Sequence, residues 1–251
     1  MERLADHPEL MDGPLDAAVL AGNLRDLVRI NRWLGGTRLS ARALERLQAS
    51  ADGMAERRAT LSLLDVGTGA ADIPAALITW FAARGTTLTV HAIDEREEMV
   101  AAARARVGRR PDLTLATTAG GARLPYKDGA YDVVHCSLLL HHLEPDAAAG
   151  LLAEAARVSR LGVIVNDLDR AAHLWLGAWL LGHLLTGNRY TRHDAPLSVR
   201  RAYRCAELEQ MAVAAGLERV VRLRGFLGHR YVLALARPSG LLAKREPSSD
   251  G

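Results

Sequence analysis

Between Leu61 and Val165 short apolar runs alternate with alanine-rich stretches of helical spacing. The runs LSLLDV, TLTVHAID, DLTLATT, YDVVHCSL and LGVIVND hold few polar residues, as strands do when helices cover both faces of a parallel sheet. The stretches 70–84, 96–107 and 146–159 lie between them and predict helices. Repeated strand–helix units predict an open α/β sheet. After Gly216, ERVVRLRGF and HRYVLALARP stand close enough to pair as an antiparallel hairpin around residues 225–228.

Two segments depart from this alternation. Residues 15–34 place Leu20, Leu24, Leu27, Asn31 and Leu34 on one helical stripe, and residues 39–48 predict a second helix after the Gly35-Gly36 break. Residues 170–203 open with AAHLWLGAWLLGHLL, apolar almost all round, which predicts a helix that is buried or lines a greasy pocket. The expected organisation is an N-terminal helical cap over 1–50, an α/β domain over 51–240 with a helical insertion at 170–203, and a frayed tail over 241–251.

Composition narrows the class. At 251 residues and 49% hydrophobic, the chain can bury one good core with room for a cap. Cys136 and Cys205 form neither a CxxC motif nor a disulfide framework, so a reducing cytoplasm is expected. The start MERLADHPEL lacks the apolar core of a secretory signal, and Leu174–Leu185 is far short of the roughly 20 residues that span a bilayer. A soluble protein with no stable membrane insertion is therefore expected. Net charge is +3 with arginines spread through the chain, which permits nucleic-acid binding without implying it.

The stretch LLDVGTGAADIP over 63–74 reads as a strand, a tight glycine turn at Gly67-Thr68-Gly69 and a helix N-terminus. It supplies two glycines where the dinucleotide fingerprint has three, with Ala71 or Asp72 at the third position. The next strand ends at Asp94, whose carboxylate offers two acceptors to two adjacent ribose hydroxyls. An adenosine-type ligand follows from the pair; a plain tight turn and a helix-capping acid are the structural alternatives.

These residues, with VHAIDEREEMV, ARLPYKDGAYDVVHCSLLLHHL and the final hairpin, resemble the class I S-adenosylmethionine-dependent methyltransferases over roughly 60–167 and 205–236. The chain is similar above all to the small-molecule branch that acts on quinones and phenolic polyketides. The resemblance implies a Rossmann-like, seven-stranded, mostly parallel sheet whose last strand is antiparallel. It implies that Asp65, Gly67 and Gly69 face the methionine half of S-adenosylmethionine, that Asp94 binds the ribose, and that Met99 packs near the adenine. Where relatives carry a Gly-Asp-Ala pattern, this chain has Gly120-Gly121-Ala122, so Gly121 and Ala122 would address the adenine through backbone groups alone. Cys136 and Ser137 would face the sulfonium, with a core thiol and a helix cap as alternatives.

Methyl transfer from a sulfonium is an in-line displacement, so alignment and exclusion of water come first. A protonated acceptor oxygen gains from a nearby base, a role suited to histidine. His141, in LLLHHLEPD, and His193, in TRHDAP, are the candidate bases, and Asp167 could orient a base or the substrate or simply cap a helix. The end of the fourth strand, Cys136-Ser137-Leu138, has no carboxylate and no cysteine–histidine spacing suits zinc, so no metal is expected. The expected function is methylation of an apolar aromatic small molecule, on oxygen or alternatively on carbon. A nucleic-acid methyltransferase fits less well, because HCSLLLHHL replaces the Asn-Pro-Pro-aromatic run or the proline-flanked cysteine of those enzymes.

Overall fold

The computed structural model describes residues 1–4, 7–51, 58–119 and 123–238. Gly121, Ala122 and the expected tail over 241–251 lie outside the described residues.

Seven strands form one sheet: β1 (Thr60–Val66), β2 (Thr87–Asp94), β3 (Leu113–Thr117), β4 (Tyr131–Ser137), β5 (Ser159–Leu168), β6 (Glu218–Arg224) and β7 (Arg230–Ala236). Their order across the sheet is β3-β2-β1-β4-β5-β7-β6. Pairings among β1 to β5 are parallel, whereas β7 runs antiparallel to both β5 and β6. The C-terminal hairpin thus slots its second strand between β5 and its first strand.

Because side chains alternate across a strand, each buried strand feeds two cores. Leu61, Leu63, Val232 and Ala234 join Leu44, Leu47, Leu77 and Phe81 on one face, against α2 (Gly36–Ala51) and α3 (Asp72–Ala82). Leu64, Val163, Tyr231 and Leu233 join Leu152 and Leu208 on the other, against α5 (Pro145–Val158) and α8 (Cys205–Ala214). At about 25 cal/mol per Å² of apolar surface, these two layers supply most of the driving force for folding.

The helices start where local chemistry directs. Asp16 caps α1 (Ala17–Trp33) by accepting from the amides of Ala18 and Val19, and Pro145 opens α5, where its missing N–H costs nothing. Asn188 caps α7 (Arg189–Arg201) through the amides of Tyr190 and Thr191.

The structure corrects two expectations about the added helices. The second helix of the expected cap, α2, is a layer helix: it packs on β5, β6 and β7 with Ala41, Leu44 and Leu47 fully buried. Of that cap, α1 lies over the sheet edge, where Leu20 and Leu24 pack with Ala70 and Met99. The apolar helix of the insertion, α6 (Ala172–Leu185), buries only Leu174 and Gly182. Trp175, Trp179, Leu184 and Leu185 face outward, because α6 rests on α7 along the narrow Gly182 contact, with most of its circumference free. Among the described residues no helix is long and apolar enough to cross a membrane.

Candidate functional site

Strands β1, β2, β4 and β5 are parallel, so their ends at Val66, Asp94, Ser137 and Leu168 share one edge of the sheet, where ligands of open α/β sheets bind. At that edge Gly67 and Gly69 have φ of +68° and +52°, values that suit glycine. A Cβ at Gly67 would stand 2.8 Å from Leu139 Cδ1, so the absent side chain lets the loop after β4 close on the turn. Two residues that are not glycine, Ala71 and Leu138, also have φ of +52° here, and such strain clusters at functional sites.

Asp94 ends β2 beside this turn. Its Oδ2 accepts from the Gly69 amide at 3.0 Å and its Oδ1 from the Arg96 amide at 3.2 Å. Burial pushes its carboxyl above the ordinary range, against the opposing pull of those two amides. Met99, on α4 (Glu97–Val107), is buried with Ala70, Leu20, Leu24 and Tyr190, which places α1 directly over the glycine turn.

The two residues at the end of β4 part company. Ser137 Oγ is buried and lacks a hydrogen-bond partner among the described residues, as does Thr68 Oγ1 in the turn. The Cys136 side chain does not face the sheet edge; alternation turns it into the apolar cluster with Leu64, Val163 and Leu152, where burial pushes its thiol far up. Cys136 is a core residue, a correction to the expectation that it faces the sulfonium.

Asp65 is buried and engaged within the protein. His135 Nδ1 donates to Asp65 Oδ1 at 2.5 Å, and Ser40 Oγ lies 2.9 Å from His135 Nε2. Asn166 continues the chain, its Nδ2 donating to Ser40 Oγ at 2.9 Å and to the Gly36 carbonyl at 3.0 Å. With the imidazole proton on Nδ1, each group in the run is paired.

A second network holds the loop after β4. His141 Nδ1 donates to Asp167 Oδ1 at 2.7 Å, and the His141 amide donates to Asp167 Oδ2 at 3.3 Å, both residues being buried. Burial opposes the charge on Asp167, but His141 beside it holds the carboxyl below the usual range. Residues from the N-terminus close over this pair: Glu9 Oε1 accepts from Ser198 Oγ at 2.7 Å and lies 3.7 Å from His141 Nε2. His142 Nδ1 bonds Asp12 Oδ1 at 2.9 Å, and Arg201 bonds Asp12 at 2.9 Å and the His142 carbonyl at 2.8 Å. The Glu9 carboxylate and one ring nitrogen each of His141 and His142 lie within 4.8 Å of one another. His193 stands apart, its side chain half exposed and its Nδ1 held by Asp194 at 2.8 Å.

Residues 63–162 match the family model described as "Methyltransferase domain". Over that stretch the chain carries a methyltransferase domain. Its fold is similar to that of a SAM-dependent methyltransferase from Aquifex aeolicus (18% identity, 89% of this chain and 98% of that one covered, TM-score 0.58). It is also similar to magnesium protoporphyrin IX methyltransferase from Synechocystis PCC 6803 with bound SAH (16% identity, 90% of each chain, TM-score 0.52). A third likeness is to the CMeT domain of the citrinin polyketide synthase (12% identity, 71% of this chain and 46% of that one, TM-score 0.53). No curated protein matches the sequence.

The magnesium protoporphyrin IX methyltransferase has been solved with bound SAM as well as SAH, and the residues present here suit such a ligand. In the turn of positive-φ glycines at the N-terminus of α3, Gly69 has open space at its Cβ position and leaves room for close backbone approach. The unpartnered buried hydroxyls of Thr68 and Ser137 offer hydrogen bonds at the edge, and Asp94 offers acceptors for a ribose. Sequence reasoning missed Ser40, His135, Asn166 and Arg230, all buried at or near this edge. The one available signal was polarity inside apolar strands, namely His135 in YDVVHCS, Asn166 in LGVIVND and Arg230 opening RYVLALA.

Proposed function

We propose that the chain methylates an apolar aromatic small molecule, a phenol, quinone or polyketide-like acceptor, on oxygen. The observation that carries this reading is the buried His141–Asp167 pair at the same sheet edge as the glycine turn, closed over by Glu9 and by Arg201 of α7.

Bound S-adenosylmethionine supplies a methyl group on a positively charged sulfur. Asp94 holds the ribose, Gly67 and Gly69 present backbone groups to the methionine half beside Asp65, Ser137 adds a hydroxyl, and Met99 packs near the adenine. Asp167 fixes the His141 tautomer with the proton on Nδ1, which leaves Nε2 to take the proton of an acceptor hydroxyl. Glu9 and the N-terminal segment exclude water from that nitrogen. His193, exposed beside Asp194, is the second candidate base. The N-terminal cap and the 170–203 insertion enclose the acceptor, the insertion contributing through α7, which packs on α1, while α6 turns outward.

Methylation on carbon is the alternative, supported by the likeness to a polyketide synthase CMeT domain. A small molecule is favoured over nucleic acid because surface arginines such as the half-buried Arg110 and the exposed Arg219 and Arg222 already pair with Asp112 or Glu209. The free, buried cysteines suit a reducing cytoplasm. The test is mass spectrometry of products from a panel of phenols, quinones and carboxylic acids incubated with S-adenosylmethionine. An O-methylated phenol supports the proposal; turnover confined to carbon, or to nucleic acid, overturns it.

A further inference from the structure

Arg230 opens β7 and is fully buried. In the antiparallel register it lies opposite Leu168, the last residue of β5, and therefore at the edge that carries the glycine turn. Its guanidinium packs against the start of α2: a Cβ on Gly36 would stand 2.0 Å from Nη1, and the same position is 3.1 Å from Asn31 Oδ1. Asn31 in turn donates through Nδ2 to Asp72 Oδ2 at 3.1 Å, which ties this corner to the first residue of α3.

The hydrogen bonding of Arg230 is lopsided. Nη1 donates to Asn166 Oδ1 at 3.3 Å, whereas Nε and Nη2 have no partner among the described residues although both are buried. Those two nitrogens share one edge of the guanidinium, the edge that grips a carboxylate with two parallel hydrogen bonds. Asn31 Oδ1 beside it is also unpartnered. A buried cation with no carboxylate in hydrogen-bond reach is strongly unfavourable, so a side chain kept in this state has an occupant to meet. Burial pulls Arg230 down to about 10, opposed by the attraction of Asp167 and Asp72.

We infer that the Nε–Nη2 edge of Arg230 is a carboxylate-binding site of the methyltransferase. The carboxylate belongs either to the methionine half of the cofactor or to the acceptor, both of which meet at this edge. Asn31 Oδ1 and the Asp72 carboxylate stand beside the site, so an amino acid, with ammonium next to carboxylate, matches the corner better than a lone carboxylate does. Above the site, α1 joins α2 through Gly35, at φ +79°, and Gly36, which lies over the guanidinium.

The inference rests on the methyltransferase reading and, for its second source only, on the proposed acceptor class. The experiment is calorimetric titration of the wild type, Arg230→Met and Arg230→Lys with S-adenosylhomocysteine and with 5′-methylthioadenosine, which lacks the amino acid. Retention of fold is checked by circular dichroism, and Arg230→Lys keeps the buried cation should Arg230→Met not fold. If the site takes the cofactor's carboxylate, the variants bind S-adenosylhomocysteine on the order of 10- to 100-fold more weakly and 5′-methylthioadenosine unchanged. If it takes the acceptor's, both nucleosides bind as before, and KM rises for a carboxylated phenol but not for its carboxamide. Equal loss for both nucleosides, or no change in any of these quantities, overturns the inference. The titrations read out even if no phenol is turned over.

Discussion

His141 and Asp167 touch twice: the imidazole Nδ1 donates to one carboxylate oxygen at 2.7 Å, and the His141 backbone amide donates to the other at 3.3 Å. The carboxylate therefore fixes both the position of the loop after β4 and the tautomer of the ring.

If His141 is the base, His141→Ala should lower kcat about 10²- to 10⁴-fold for a phenol that binds protonated. Asp167→Asn should lower it less and leave KM for S-adenosylmethionine near the wild-type value. Raising the pH until the phenol ionises in solution should restore much of the rate to both variants. A pH-independent defect would instead assign the pair a purely structural role, since breaking a buried pair costs about 3–5 kcal/mol of stability. Steady-state kinetics with melting curves separates the two outcomes.

Replacing Asp94 by Ala should weaken S-adenosylhomocysteine by about 1.5–3 kcal/mol while the fold survives, as calorimetry would measure. Burial raises this carboxyl, and ribose hydroxyls need the ionised acceptor. Affinity should thus fall, as pH is lowered, at a higher pH than an ordinary aspartate would give, and Asp94→Asn should abolish that dependence. An affinity in the wild type that is flat through the weakly acidic range would contradict the assignment.

The clamp between His142 and Asp12 should make docking of the N-terminal segment pH-dependent. Burial disfavours the His142 cation, but Asp12 and Glu9 outweigh both it and the repulsion from Arg201, and raise its pKa. The His141 ring lies 4.3 Å from the same ring, tilted by 35°, with Asp167 behind it. A raised histidine stabilises fully below its unfolded pKa of about 6.5, and the contribution is lost as pH rises through the folded value. Asp12, depressed despite its burial by the bond to His142, stabilises above about 3.9 and loses that contribution as pH falls through its lowered pKa. Hydrogen exchange at the Leu10 and Met11 amides, which bond Asp194, should accelerate beyond the intrinsic rate above neutral pH. In His142→Asn that extra acceleration should disappear.

Turnover should survive EDTA, as expected for a reaction that rests on alignment and a protein base. The cluster of Glu9, His141 and His142 provides the counter-test. Activity lost to the chelator and restored by a divalent cation, with Glu9→Gln abolishing the rescue, would make that cluster a metal centre and remove His141 from the role of base.

The strands, the glycine turn and Asp94 were legible in the sequence because each is written locally, in apolar runs, in a tight turn and in one acid at the end of a run. The terminal hairpin was legible for the same reason. Tertiary structure decided which residues share the sheet edge. His135 meets Ser40 across 95 positions, Asn166 meets Ser40 across 126, and Arg230 meets Asn166 across 64, pairings that come from strand order and register. Spacing along the chain carries no trace of them. The side of a strand is equally non-local: Cys136 and His135 are neighbours in sequence, yet alternation sends one into the core against α5 and the other to Asp65 and α2. The helix at 172–185 shows the same division from the opposite side. Its leucines and tryptophans made a buried helix the natural expectation, but burial depends on what lies beside a helix, and α7 covers only the strip around Gly182. Composition determined that the segment is apolar; only the packing of its neighbours decided that it faces outward.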